Sequence, residues 1–263
     1  MRHRRRKADC RLSTLDFGLW TVGAIVDWRN QNSWRILGGT VLLVLWLWSG
    51  AGKAQEQHPH HPLPLDQYIA LLKDPQRDEW QKPDAVIQAL NLQNGQVVAD
   101  IGAGSGYFTL RLARAVEPNG TVFAVDVDEG MLNYLRQRLA KEDLKNITVR
   151  QVPPHDPLLL NSSVDLVFVC NAYHHLEERE GYLRKLRKAL KPDGRLVIVD
   201  FYKREGIPVG PPMEMRLSEE TVQKELQGAG LKVTEQLTFL PYQYILIAQS
   251  TTGTSALSPA GGP

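Results

Sequence analysis

From Leu65 onward the apolar positions switch repeatedly between two periods. Short β-branched runs fall at 96–101, 121–126, 147–152, 164–170 and 195–201, and two more close the chain at 231–239 and 242–249. Between them the spacing turns helical. The stretch 106–116 is one such segment. A second, 129–141, puts Met131, Leu132, Leu135 and Leu139 on one face, and a third, 179–190, is basic and amphipathic until Lys191-Pro-Asp-Gly194 stops it. A fourth, 218–228, opens on Ser218-Glu-Glu-Thr221, which reads as a capping box. Strands that alternate with helices predict a parallel sheet covered on both faces. The last two strands, joined across Leu240-Pro241, form a hairpin, so one strand must run antiparallel. A sheet of this kind takes its ligand beyond the carboxyl ends of its strands, at the switch point between the first and the fourth.

Upstream of Leu65 the pattern is different. Residues 36–48 are uncharged and strongly apolar, and no charge appears before Lys53. The run falls short of the ~20 residues of a spanning helix and suits the core of a signal peptide. Arg29 and Arg35 precede it and small residues follow, so cleavage is expected near Ala54. The charge asymmetry sends the body outward, to a periplasmic or other extracytoplasmic site. An uncleaved anchor touching the membrane through 36–52 is the alternative, and the body is cytoplasmic if the segment does not function. The stretch before Arg29 exceeds an ordinary leader, which suggests a true start at Val22 or Val26. The expected organisation is therefore a leader or anchor over 1–54, a linker and lid over 55–79, a catalytic-type domain over 80–249 and a disordered tail over 250–263.

Charge sharpens this division. Residues 1–54 hold nine Lys and Arg against three Asp and Glu, so the remaining 22 basic and 26 acidic residues make an acidic body. That argues against nucleic acid as a partner. The two cysteines, Cys10 and Cys170, form no C-x-x-C pair, which leaves no disulfide framework and no cysteine zinc site. His58, His60 and His61 lie among prolines with no nearby carboxylate and read as a solvated linker, so no metal is expected.

The sharpest motif is VVADIGAGSGYFT at 97–109, which sets Gly102, Gly104 and Gly106 between a strand and a helix. Glycines there permit positive φ and close approach of backbone to a ligand. The spacing is G-x-G-x-G, not the G-x-G-x-x-G of dinucleotide folds. Asp100 precedes the loop, and Asp126 ends the second strand. Its carboxylate can accept from both hydroxyls of a ribose, or it can cap the helix starting near Glu129.

With these residues the sequence resembles the class I S-adenosylmethionine-dependent methyltransferases, over roughly 80–249. The resemblance implies an α/β, Rossmann-like three-layer sandwich whose seven-stranded, mostly parallel sheet ends in a reversed strand. It implies S-adenosylmethionine as cofactor. Gly102, Ala103, Gly104 and Gly106 would pass its methionine part, and Asp100 would orient the amino-acid end. Asp126 would hold the ribose, with Val127 and Met131 flanking the adenine. The family's usual acid after the third strand is missing from its place, and Asp156 is the candidate for the adenine amino group or else a turn residue. Asn171 would bond cofactor or substrate.

Beyond Asn171, Tyr173, His174 and His175 are the catalytic candidates. They would shape the acceptor pocket, with one histidine near neutral pKa as a base, or else pack and cap the next helix. Methyl transfer is a direct displacement, so alignment is the main task. Tyr68, Trp80, Tyr107, Met213, Met215, Arg216, Tyr242 and Tyr244 are candidates for a partly apolar acceptor side. Cys170 is expected to pack. A lone cysteine in the body disfavours an arsenic-type acceptor, whereas a demethylmenaquinone-type or other small molecule stays open. Arg184, Lys185, Arg187 and Lys188 read as a solvated stripe. Two other function classes compete: a non-catalytic binding module that keeps the fold, and a nicotinamide oxidoreductase, disfavoured by the glycine spacing and the hairpin. Export also conflicts with a cofactor made in the cytoplasm.

Overall fold

The computed structural model describes residues 63–251. The expected leader or anchor, the cleavage near Ala54, the 36–52 membrane contact, the His58–His61 cluster and nearly all of the tail lie outside the described residues. Among the described residues, no helix is long and apolar enough to cross a membrane.

Seven strands form one sheet: β1 (Val97–Ile101), β2 (Thr121–Asp126), β3 (Ile147–Gln151), β4 (Val164–Cys170), β5 (Leu190–Phe201), β6 (Leu231–Leu237) and β7 (Gln243–Ser250). Their order is β3-β2-β1-β4-β5-β7-β6. The first five run parallel, and β7 lies antiparallel between β5 and β6. Central strands are covered on both sides, so they read as nearly continuous apolar runs rather than as alternation. Burial still alternates by face. Ala99, Ile101, Val167, Ile198 and Leu246 share one core with Leu183 and Leu186 of α6 (Arg179–Ala189) and Val222 and Leu226 of α7 (Glu219–Gly228). Val98, Val122, Leu166, Val197 and Ile247 share the other with Val86 of α3 (Pro83–Ala89) and Leu112 and Val116 of α4 (Thr109–Val116). α5 (Glu129–Leu139) adds Leu135 to this second side, against Leu110 and Ala124.

Several boundaries differ from the sequence expectation. α4 starts at Thr109, not at 106, because Gly106 holds φ +78, outside the helical region. A Cβ there would collide with the Leu135 side chain, so the glycine lets α4 and α5 close on each other. The Lys191–Gly194 element is a bulge within β5, not a loop before it: Val164 pairs with Leu190, and pairing resumes at Leu166 with Arg195. Ser218 does cap α7, accepting from Thr221 N at 3.3 Å, but the third position holds Thr221 and no glutamate completes a capping box. Ahead of β1 the chain adds α1 (Leu65–Leu72), α2 (Arg77–Gln81) and α3, where a linker and lid were expected up to 79.

Candidate functional site

A cavity of about 250 Å³ opens beyond the carboxyl ends of β1, β2 and β4, at the expected switch point. The turn after β1 supplies Gly102, Ala103 and Gly104 to its wall, and the end of β2 supplies Asp126, Val127 and Asp128. Cys170 ends β4 and Asn171 follows it, and Met131 comes from α5. Tyr68 and Leu72 of α1 and Arg77 of α2 close the cavity from the N-terminal side.

The glycine turn is tied to β2 by the Val125 carbonyl, which accepts from Gly102 N at 2.9 Å and Ala103 N at 3.1 Å. Gly102, Gly104 and Gly106 all hold positive φ, yet they serve different ends. A Cβ on Gly102 would collide with Ala172, so this position lets the segment after β4 pack onto the turn. At Gly104 the nearest atom to an added Cβ is Met131 Cε at 3.4 Å, and it is here that backbone meets the cavity.

Asp126 accepts from Gly104 N at 2.7 Å and from Asp128 N at 3.0 Å, one bond to each oxygen. Asp128, not Asp126, caps α5, accepting from Met131 N at 3.0 Å. Each Asp126 oxygen therefore keeps acceptor capacity toward the cavity. Burial raises its pKa, opposed by these backbone donors. Asp100 is 3% exposed and accepts from Thr109 Oγ1 at 2.6 Å. Burial pushes its carboxyl up to about 7; the Thr109 bond opposes this, the Asp126 charge adds to it and Arg77 opposes it.

Arg77 was not anticipated from the sequence. It is 9% exposed. Its Nε donates to Gln81 Oε1 at 3.0 Å and its Nη1 to the Leu72 carbonyl at 3.3 Å, and the guanidinium lies 3.8 Å from the centroid of the Tyr107 ring. Burial draws its pKa below the ordinary arginine value. No carboxylate among the described residues lies within ion-pair distance of it, because the nearby Asp78 bonds Tyr107 and Arg111 instead. Behind it, the side-chain amides of Gln81, Gln243 and Asn171 close a ring of hydrogen bonds. Gln81 Nε2 donates to Gln243 Oε1, Gln243 Nε2 to Asn171 Oδ1, and Asn171 Nδ2 to Gln81 Oε1. Asn171 adopts φ +56, a strained backbone at the mouth of the site. Only the RDEWQ context could have pointed to Arg77, and a single arginine in a polar helix reads as solvated.

The remaining candidates divide. His175 joins the cavity wall with Leu176 and Glu177. Tyr173 does not: it is fully buried and donates to Glu225 at 2.6 Å, within a cluster where Arg179 also grips Glu225. Burial and the Glu225 carboxylate hold its hydroxyl above the usual tyrosine range. His174 turns away as well. Its Nδ1 lies 2.9 Å from both oxygens of the buried Asp200, and the ring is 3% exposed. These two pack, as the second of the two readings drawn from the sequence has it, but neither caps the next helix. Asp156 also lies outside the cavity, as a turn residue. It accepts from Leu158 N at 2.9 Å and pairs with Lys185 at 3.0 Å, and these bonds hold its pKa below the ordinary carboxylate value. Val152, Pro154 and Tyr182 line that side of the cavity instead.

On the expected acceptor side, Tyr68 and Tyr107 line the cavity. Trp80 packs against Phe201 and Tyr242, with centroids 5.7 and 6.3 Å away, and Met213 and Met215 are exposed. Arg216 and Tyr244 are structural: Arg216 is buried on the Pro211 and Val209 carbonyls, and Tyr244 is fully buried with its hydroxyl toward the Leu217 carbonyl. Burial pushes the Cys170 thiol far above its usual range, as suits a packed side chain. Among the described residues no three His, Cys, Asp or Glu gather to hold a metal.

The methyltransferase-domain family matches residues 92–241, just over half of the chain. A SAM-dependent methyltransferase from Aquifex aeolicus is 32% identical, with a TM-score of 0.67, covering 71% of this chain and 98% of that one. The ubiquinone/menaquinone biosynthesis C-methyltransferase UbiE of Burkholderia vietnamiensis is 30% identical over 118 residues, which are 44% of this chain and 48% of that protein. The corresponding protein of Pasteurella multocida is 27% identical over 118 residues, 44% of each chain. The matched region thus spans less than half the length of these curated relatives. Magnesium protoporphyrin IX methyltransferase from Synechocystis PCC 6803, solved with bound SAH, shares the fold at 21% identity and a TM-score of 0.55, over 70% of this chain and 93% of that one. Sheet order, glycine turn and these likenesses agree that the chain belongs to the methyltransferase-domain family, within the class I S-adenosylmethionine-dependent methyltransferases.

Proposed function

We propose that the cavity below α1 and α2 holds S-adenosylmethionine and that the protein methylates a small, partly apolar acceptor entering beside Asn171 and His175. The observation that carries this reading is the pair of carboxylates, the buried Asp100 and the partly buried Asp126, facing one cavity across a left-handed glycine turn. The donor set fits the cofactor. Asp126 keeps acceptor capacity for a ribose diol beside its backbone donors. Asp100 supplies negative charge beside an ammonium or sulfonium, which would return it to its ionised form. Val127, Met131 and Val152 offer apolar walls for a purine. Asp156 has no part in this reading, and the adenine edge is left to backbone and apolar contact near Pro154.

When bound, S-adenosylmethionine supplies an electrophilic methyl group on a sulfonium to a nucleophilic acceptor atom. The chain contributes position and exclusion of water. Tyr68, Leu72 and Arg77 cover the cavity, and Asn171, locked in the amide ring, fixes its edge. His175 is the remaining histidine candidate for taking an acceptor proton. The Tyr68 and Tyr107 rings in the cavity wall, together with the likeness to ubiquinone/menaquinone biosynthesis C-methyltransferases, support an aromatic ring methylated at carbon as the acceptor class. Export through residues 1–54 remains our proposal for location, tested by N-terminal sequencing of the mature protein.

Calorimetric titration of the full-length protein with S-adenosylhomocysteine tests the cofactor site. Micromolar binding is expected, reduced at least tenfold in Asp126→Ala, because a hydrogen bond to a charged group contributes about 1.5–3 kcal/mol. Folded protein that binds neither S-adenosylhomocysteine nor S-adenosylmethionine would favour a binding module that has kept only the fold.

A further inference from the structure

Arg77 is a cation placed where burial disfavours it, and among the described residues it has no carboxylate partner. Of its five N–H groups, one is given to Gln81 and one to the Leu72 carbonyl, while the guanidinium face lies on Tyr107. The others remain for the cavity that Arg77 lines. An arginine so held is a rigid fork for a carboxylate. What holds it is also specific. The acceptor of its Nε, Gln81, is fully buried, and so is Gln243; with Asn171 they close the amide ring that ties α2 to the ends of β4 and β7. Arg77, Gln81 and Gln243 all lie outside residues 92–241, the span matched by the family.

Building on the cofactor reading above, we propose that Arg77 binds the carboxylate at the amino-acid end of S-adenosylmethionine, and that Gln81 and Gln243 are positioning residues that aim it. Charge balance supports the assignment. The bound cofactor brings its ammonium and sulfonium to the side of Asp100 and one negative group, the carboxylate, for which Arg77 is the complementary charge. The same chemistry could come from an acceptor carboxylate, and the choice of probes separates the two sources.

The test compares S-adenosylmethionine with decarboxylated S-adenosylmethionine, which keeps the sulfonium and the ammonium and lacks only the carboxylate. Binding to the full-length protein is measured by calorimetry, with thermal unfolding as a check on folding. The wild type is expected to prefer the complete cofactor by roughly 10–100-fold, the range of a charged hydrogen-bonded pair. Arg77→Gln should reduce that preference to about threefold or less while leaving affinity for the decarboxylated probe in place. Gln81→Met, which removes the acceptor of Arg77 Nε, should reduce the preference severalfold with the same probe unaffected. A merely structural role would weaken both ligands together, and that result would overturn the proposal. So would wild-type protein that binds the two equally, or Arg77→Gln that keeps the preference, in which case an acceptor anion is the partner. Wild-type protein that binds neither ligand would instead overturn the cofactor reading on which the proposal rests.

Discussion

Asp100 shows how one buried side chain sets a pH response. In the folded protein its pKa is pushed from 3.8 to about 7, mainly by burial. Between those values the folded state holds a proton that the unfolded chain has released. Stability must therefore fall as pH rises through about 4 to 7, since it rises only where the unfolded state binds more protons. Asp126 acts in the same direction. Denaturant unfolding at a series of pH values should show this decline, and Asp100→Asn should flatten it while keeping an acceptor for Thr109. A decline that persists unchanged in the variant would assign it to other groups. Asp100 and Asp126 were legible in the sequence because a glycine turn fixes where the flanking acids point. Asp156 was misplaced because its neighbour Pro157 and the Leu158 N–H draw it into a local turn, and local bonds of this kind compete well with a distant ligand. Arg77 was invisible because only tertiary contacts bury it.

At the scale of the element, the glycine turn separates packing from binding. Gly106→Ala would place a methyl against Leu135 at φ +78, and overpacking joined with left-handed strain should cost about 2–4 kcal/mol in unfolding experiments. Gly104→Ala meets only Met131 at 3.4 Å, so its stability cost should be about 1–2 kcal/mol, from the left-handed backbone alone. Its cofactor affinity should fall more than that of Gly106→Ala, because the methyl enters beside Asp126. Equal losses of stability in the two variants would contradict this division. The strands were readable as elements because buried parallel strands are unbroken apolar runs. The bulge at Lys191–Gly194 was not, since Pro and Gly look like a loop until β4 offers them a partner.

Across the whole molecule, the sheet order follows from alternating strands and helices and from the closing hairpin, and that order is what puts the cavity at the switch point. The cover of that cavity did not follow, because α1 and α2 are short, α2 is mostly polar and α1, though apolar, packs little of its surface away. α1 has no buried residue at all. It is held by few contacts, among them Leu65 beside Gly130 and Lys73 over the Tyr134 ring at 5.7 Å. Segments with so little buried surface open at low free-energy cost. Yet Tyr68, Leu72 and Arg77 from this segment form part of the cavity wall. A ligand that fills the cavity adds contacts to α1 and α2 that the rest of the fold already has. Hydrogen exchange should accordingly be fast over residues 65–72 in the free protein, slower over α2, where Arg77 and Gln81 are buried, and slow over all of 65–81 on addition of S-adenosylhomocysteine, with little change in β4 or β5. Protection confined to the glycine turn and β2, with 65–81 unchanged, would mean that the segment does not close on the ligand. Arg77→Gln should retain protection at the turn and lose much of it over α2, which ties the motion of the cover to the one cation it carries into the site.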